Sequence, residues 1–365
     1  MAETVRTLGL EAPGKLAFFT SDAEPAPEGG FRLETLYSGL SAGTELTFYK
    51  GTNPSLHSSW DPEFGVFMAD EPEQAYPVER LGYMECGRVV ESRNPAIEEG
   101  AVVSMPYGHK TGHTAGPGDA AVVLPGGLDP LLGIYVAHMG PICANGLLHA
   151  AADLVGSDVR ALGDGVRGLN VLVTGAGVVG LLTALFAVRH GAAEVMVADS
   201  GARRLDAARA LGLRAIDERD EEAWQVAKAR WRHGPSDRGA DVVLQCRGQV
   251  RSLVAALRAL RPQGSVIDLA FYQGGSEDLR LGEEYHHNGL SLRCAQIGRV
   301  PRGLAPLWSR RRLQAETVDL MQVRGADILE HLITDVVGFD EAPTVFEEIA
   351  DRRREPLQVV FAMDS

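Results

Sequence analysis

Asn170-Val-Leu-Val-Thr-Gly175-Ala-Gly177-Val-Val-Gly180 decides the reading of this chain. Val171, Leu172 and Val173 form a short β-branched run that suits a buried parallel strand. Gly175, Gly177 and Gly180 follow in G-x-G-x-x-G spacing. The first glycine permits the tight turn, the second lets backbone approach a pyrophosphate, and the third lets the following helix pack close to the strand. Val178, Val179, Leu181, Leu182, Leu185, Phe186 and Val188 give that helix an apolar face. Its N-terminal N–H groups and positive dipole end favour a phosphate. A second strand, 195–198, ends in Asp199, whose carboxylate suits a ribose 2′-hydroxyl and repels a 2′-phosphate. Strand, glycines, helix, strand and acid in one unit predict a dinucleotide-binding fold. Arg203 and Arg204 follow Asp199 and can pair with a 2′-phosphate or lie solvated along the adenosine. With Asp199 present, the expected cofactor is NAD rather than NADP.

The rest of the composition narrows the class. The chain has 365 residues, room for about two domains, and 45% hydrophobic with 23% charged residues, ordinary for a globular protein. A formal net charge of −14 disfavours nucleic acid or an anionic membrane as partner. No run of about 18 apolar residues is evident, so no membrane span is expected, and Met1-Ala-Glu-Thr-Val-Arg6 lacks an apolar signal core. Cys86, Cys143, Cys246 and Cys294 are far apart and form no C-x-x-C pair. That argues against a disulfide framework or structural zinc lobe. The expectation is a reduced, cytoplasmic protein.

Residues 1–147 show short apolar runs punctuated by Gly and Pro, at 31–37, 87–90, 101–105 and 120–124, which predict a mainly β domain. Residues 52–80, rich in Pro, Ser, Asp and Glu, read as a surface insertion over the active site. A helix within 141–162 leads into the nucleotide fold. Beyond 170, strands at 214–217, 241–246, 265–270 and 290–295 alternate with helices at 221–231 and 252–260. Six strands with crossover helices predict a doubly wound parallel sheet over 148–296. Arg261-Pro-Gln-Gly264 reads as a turn. The tail 297–365, with helices at 308–323 and 342–350 and a strand at 357–362, is expected to return to the N-terminal domain.

This order of parts resembles the medium-chain dehydrogenase/reductase superfamily of zinc-type alcohol dehydrogenases. Tyr37-Ser-Gly-Leu-Ser-Ala-Gly-Thr-Glu45, Gly82-Tyr-Met-Glu-Cys-Gly-Arg-Val-Val90 and the 170–199 unit carry the resemblance. With Gln296-Ile-Gly-Arg-Val300, their wording is similar to the branch that contains bacteriochlorophyllide a dehydrogenase. The resemblance implies an α/β protein with a Rossmann domain and a GroES-like mainly-β domain, acting on a small molecule as a homodimer or homotetramer. The family's catalytic zinc ligands, however, fall on Ala42, on Tyr83 with Met84, and near Pro141. These do not make a tetrahedral N/S site. Cys143 is close to the third position but has no partners, so no zinc is expected.

Without a Lewis acid, another group must stabilise oxyanion charge. Tyr83, at a ligand position, is expected to face the nicotinamide. Its phenol can donate to a carbonyl, act as acid/base if its pKa is lowered, or merely fill the space of the metal. Thr44 matches the family's proton-relay hydroxyl, or is a turn residue bonding its own backbone. Glu45 matches an acid that anchors the site. His109, in Pro106-Tyr-Gly-His-Lys110, is a loop-borne acid/base candidate. His113, His138, Asn145 and His149 are weaker candidates, and His286 and His287 read as a solvated pair. On the cofactor side, Cys246, Gly248, Ala270, Phe271 and Tyr272 follow strand ends, where ligands bind in open α/β sheets. The resemblance places backbone near Leu269, Cys294 and Gln296 against the carboxamide. The leading expectation is a zinc-independent, NAD(H)-dependent oxidoreductase of secondary alcohols and ketones. The alternatives are an NADPH-dependent enone or quinone reductase and a non-catalytic NAD(H)-binding protein.

Overall fold

A computed structural model describes residues 4–69, 71–272 and 274–363. The N-terminal Met1, Ala2 and Glu3 and, within the 52–80 segment, Asp70 lie outside the described residues. The chain divides into two compact units, 1–138 with 333–365, and 139–332.

In the first unit, β1 (Thr4–Ala12) and β2 (Lys15–Asp22) form an antiparallel hairpin. A mixed sheet is built on β3 (Phe31–Gly39), and α1 (Ala42–Tyr49) follows it. The 52–80 segment is a ribbon of β4 (Ser58–Asp61) and β5 (Val66–Ala69). Beyond it come β6 (Glu85–Ser92), β7 (Val102–Met105), β8 (Gly112–Ala115) and β9 (Val122–Val123). β6 pairs with β3 and β7, β7 with β9, and β8 with β3, all antiparallel. Leu33, Val89 and Val103 alternate inward along their strands into one cluster. Leu8, Leu10, Phe346 and Phe361 lie in a second cluster, which joins the first hairpin to the returning C-terminal segment.

The second unit begins at α2 (Gly140–Val155), which Gly156 terminates at φ 66°. The six-stranded parallel sheet follows. Its strands are β10 (Asn170–Thr174), β11 (Glu194–Asp199), β12 (Arg214–Asp217), β15 (Ala240–Gln245), β16 (Leu260–Asp268) and β17 (Ser291–Cys294), with a small hairpin of β13 (Arg232–Gly234) and β14 (Asp237–Arg238) before β15. The order β12-β11-β10-β15-β16-β17 reverses direction at β10, the topological switch point of a doubly wound fold. The helices are α3 (Val178–Arg189), α4 (Ala202–Ala210), α5 (Ala223–Arg230), α6 (Val250–Ala259), α7 (Glu284–His287) and α8 (Arg310–His331). In the first unit, β18 (Ile333–Gly338), α9 (Ala342–Ala350) and β19 (Gln358–Ala362) complete the chain, with β19 antiparallel to β3. The architecture is α/β, a Rossmann-type sheet with a separate mixed β unit.

Several expectations change. The unit boundaries fall at 138/139 and 332/333, where the sequence reading placed 147/148 and 296/297. The whole of α2 packs on α3 and α8, so both 140–147 and 310–331 stay with the nucleotide fold. The 261–264 stretch is not a free turn. It lies inside β16, where pairing jumps from Ala240↔Leu260 to Val242↔Ser265 and Gln263 takes φ 62°. Pro130–Asp158 is helical and apolar enough to reach membrane-span length, but 83% of its apolar window is buried, as in a core helix.

Candidate active site

The nucleotide end of the second unit is shaped by glycine. Gly175 turns the chain at φ 100° after β10. A Cβ on Gly180 would sit 1.7 Å from the Gly175 carbonyl oxygen, so helix and strand approach as only glycine allows. A Cβ on Gly177 would meet nothing within 4 Å, leaving open space in front of α3. Gly177 caps α3 without a side chain, and the half-buried Val178 and Val179 occupy its first turn. An open cradle before an uncapped helix N-terminus fits a pyrophosphate.

Asp199 ends β11 as expected, but its carboxylate is turned inward. It is 1% exposed and accepts from Ala176 N and Gly201 N, each at 2.8 Å. Arg204 stands 3.7 Å away. Arg247, which sequence reasoning missed, pairs with Glu218 at 3.1 Å and reaches Ser200 Oγ at 3.4 Å. Asp199 therefore fixes the glycine loop, and only its remaining lone pairs are open to a further donor.

At the other strand ends, Cys246 is half-buried, and burial raises its thiol pKa well above the ordinary range. A Cβ on Gly248 would sit 2.4 Å from the Phe271 carbonyl oxygen, so the loops after β15 and β16 touch. Leu269 and Ala270 are half-buried, whereas Phe271, Cys294 and Gln296 are exposed. Tyr272 is not free to reach a ligand. Its hydroxyl donates to Asp268 Oδ2 at 2.9 Å and accepts from Gln245 Nε2 at 3.0 Å. Asn145 Nδ2 donates to Gln296 O and Arg299 O, each at 3.2 Å, so α2 holds the loop after β17. His149 shares that face, its Nε2 3.4 Å from Arg299 O. His286 and His287 are exposed.

In the first unit, Tyr83 meets two hydroxyls of the α1 N-terminus, Ser41 Oγ in a very short contact and Thr44 Oγ1 at 3.4 Å. The His138 ring lies 4.6 Å from its ring. Burial, foremost, raises the Tyr83 pKa; the Ser41 and Thr44 hydrogen bonds oppose this, and the charges of Glu45 and Glu85 add to it. The phenol is therefore a proton donor at neutral pH, which removes the expectation of a base with lowered pKa.

His109 requires a correction. It is 0% exposed, so it does not meet substrate as a loop acid/base. Its Nε2 lies 2.6 Å from Glu45 Oε2 and its Nδ1 2.6 Å from Ser38 Oγ, and the rings of Phe361 and Phe346 flank it at 5.2 and 6.5 Å. Ser38 Oγ also donates to Glu85 Oε1 at 3.2 Å, so one hydroxyl joins His109 Nδ1 to the second carboxylate. Burial alone would lower the His109 pKa; Glu45, by charge and hydrogen bond, and Glu85, by charge, outweigh it and the net shift is upward. Glu85, also missed, accepts from Met84 N (3.0 Å), Tyr107 N (2.7 Å) and Gly108 N (2.9 Å). His113 stacks on Tyr107 at 4.7 Å, and burial pushes it down to about 4.

Among the described residues no group of three or more His, Cys, Asp or Glu is placed to hold a metal. Ala42 and Pro141 carry no ligand atom, and Glu45, Glu85 and His109 are committed to one another. The residues present do not fit the tetrahedral zinc of the resembled family.

The fold is the one found in zinc-binding dehydrogenases. Residues 178–302 match the model of the zinc-binding dehydrogenase family. D-guloside 3-dehydrogenase of Escherichia coli is 26% identical, with 89% of this chain and 90% of that protein covered. An alcohol dehydrogenase of Thermotoga maritima superposes with a TM-score of 0.74 at 17% identity, over 99% and 100% of the two chains. A Sinorhizobium meliloti protein described as a zinc-binding dehydrogenase, bound to NADP, gives 0.73 at 19% identity, over 99% of each chain.

Proposed function

We propose that this protein is an oxidoreductase that interconverts a secondary alcohol and a ketone of a polyol or glycoside without zinc, with NAD(H) as its cofactor. The carrying observation is Tyr83, a donor phenol tied to Ser41 and Thr44 at a position where the resembled family has a metal ligand. Gly175, Gly177, Gly180, Val178 and Val179 would hold the pyrophosphate, Asp199 the ribose, and backbone near Leu269, Ala270 and Gln296 the carboxamide. The bound dinucleotide supplies hydride exchange at the carbinol carbon. Tyr83 Oη holds a proton against the substrate oxygen and stabilises the charge that grows there. Ser41 and Thr44 orient that proton. The polyol or glycoside class is supported by the D-guloside 3-dehydrogenase relative.

The test is a screen of polyols and glycosides with NAD and NADP, with and without a chelator. NAD-linked turnover is expected to survive chelation, and Tyr83→Phe is expected to lower kcat by about 10²–10³-fold. Zinc-dependent turnover, or an unchanged Tyr83→Phe rate, would overturn the proposal. Arg204, Arg247 and Ser200 near Asp199 favour a second reading, an NADPH-dependent enone or quinone reductase. A clear NADP preference with enone activity would select it.

A further inference from the structure

Three ionisable side chains lie buried together in the first unit, and none of them is given a chemical step above. Glu45 is 2% exposed, and Glu85 and His109 are 0% exposed. They form one connected chain. Glu45 Oε1 accepts from Ser41 N at 2.7 Å, and Glu45 Oε2 faces His109 Nε2 at 2.6 Å. His109 Nδ1 meets Ser38 Oγ at 2.6 Å, and Ser38 donates to Glu85 Oε1 at 3.2 Å. One end of the chain therefore grips the backbone of the residue whose hydroxyl touches Tyr83. The other end lies one residue beyond Met84, at the start of β6.

The charges do not cancel. Two carboxylates flank a single imidazole, and hydrogen bonds from three backbone N–H groups oppose the rise that burial gives the Glu85 pKa. The groups facing Tyr83 are Ser41, Thr44 and Glu45 from α1, Glu85 from β6, and the His138 ring. Those facing His109 are Glu45, Glu85, Ser38 and the Phe346 and Phe361 rings. An excess negative charge under a phenol disfavours phenolate.

We propose that Glu45 and Glu85, joined through His109 and Ser38, form a buried anionic support that positions Ser41 and Thr44 on Tyr83 and holds its phenol in the hydrogen-bond-donating form. Glu45, Glu85 and His109 are positioning residues, and the inference rests on Tyr83 being the group that meets the substrate oxygen. The burial of Tyr83 works in the same direction as the two carboxylates.

The test reads Tyr83 itself, in the full chain without substrate. Phenolate absorbance is titrated in the wild type, with Tyr83→Phe subtracted to isolate this ring. Glu85→Gln and Glu45→Gln, each checked for fold by circular dichroism, are expected to lower the Tyr83 midpoint by about one pH unit or more. Glu85→Asp, which restores the charge, should return the midpoint towards the wild-type value. Ser41→Ala removes the hydroxyl that Glu45 holds on Tyr83, and should raise the midpoint. Unchanged or raised midpoints in the Gln variants would overturn the proposal. If neither Gln variant folds, an unshifted Ser41→Ala does so. Because no turnover is measured, this outcome is separable from failure of the catalytic reading, which the Tyr83→Phe rate decides.

Discussion

Replacing His109 with leucine removes the imidazole held between two buried carboxylates while nearly keeping the volume. Glu45 Oε2 and Ser38 Oγ each lose a partner at 2.6 Å, and Glu45 and Glu85 stay buried at 2% and 0% exposure without the imidazole between them. The cavity contribution is small because leucine fills most of the space against Phe361. The electrostatic loss dominates. Breaking a buried pair by removing one partner costs about 3–5 kcal/mol, against about 1 kcal/mol for an ordinary hydrogen bond. Urea unfolding at pH 7, followed by circular dichroism, should show a loss in that range for His109→Leu, with about half regained in His109→Leu/Glu45→Gln, where one stranded charge is gone. The sign of the pH dependence follows from the same groups. His109 is raised from 6.5 in the folded chain, so its contribution is fully present below 6.5 and is lost as pH rises through the folded value. The upward shift of Glu85 acts in the same direction. Wild-type stability should therefore fall as pH climbs from 6.5 into the alkaline range. A loss under about 1 kcal/mol in His109→Leu, or wild-type stability that rises over that pH range, would refute the reasoning.

Two further predictions concern the nucleotide unit. Gly180→Ala places a methyl 1.7 Å from the Gly175 carbonyl oxygen and should weaken NADH binding at least about tenfold in a fluorescence titration, with secondary structure retained. Asn145→Ala removes two bonds that hold Gln296 O and Arg299 O, each at 3.2 Å, and should raise KM for the dinucleotide about tenfold with a smaller change in kcat.

The nucleotide fold was legible because buried parallel strands write themselves as apolar runs, as in Val171, Leu172 and Val173 of β10 and Val242, Val243 and Leu244 of β15. Elements with one weak face were not. β2 is half-buried or exposed throughout, α4 is exposed apart from Leu205, Ala207 and Ala208, and every residue of β5 is exposed. Arg261–Gly264 carries turn residues that the sheet accommodates as an irregularity inside β16. The site divides in the same way. The glycines and Asp199 sit in a local motif, and a local motif can be read from a window. His109 cannot. Its neighbours Tyr107 and Gly108 suggest a loop, whereas its burial is supplied by Phe346 and Phe361 from the far end of the chain. Glu85 was passed over because the family's ligand positions fall on Tyr83 and Met84, just before it, and only the fold shows that the carboxylate turns inward.

That burial bears on what the cluster is for. Removing a carboxylate or imidazolium from water costs several kcal/mol per ion, and well-packed apolar residues of similar volume commonly stabilise a fold as well or better. A role confined to holding the first unit together would therefore be served by leucine or methionine at these positions. What apolar residues cannot supply is the acceptor for Ser41 N at the start of α1, nor a fixed negative charge beneath Tyr83. Both act on one phenol, and both serve the role proposed for it, in which the protein's own hydroxyl groups take on the charge that zinc carries in the resembled family.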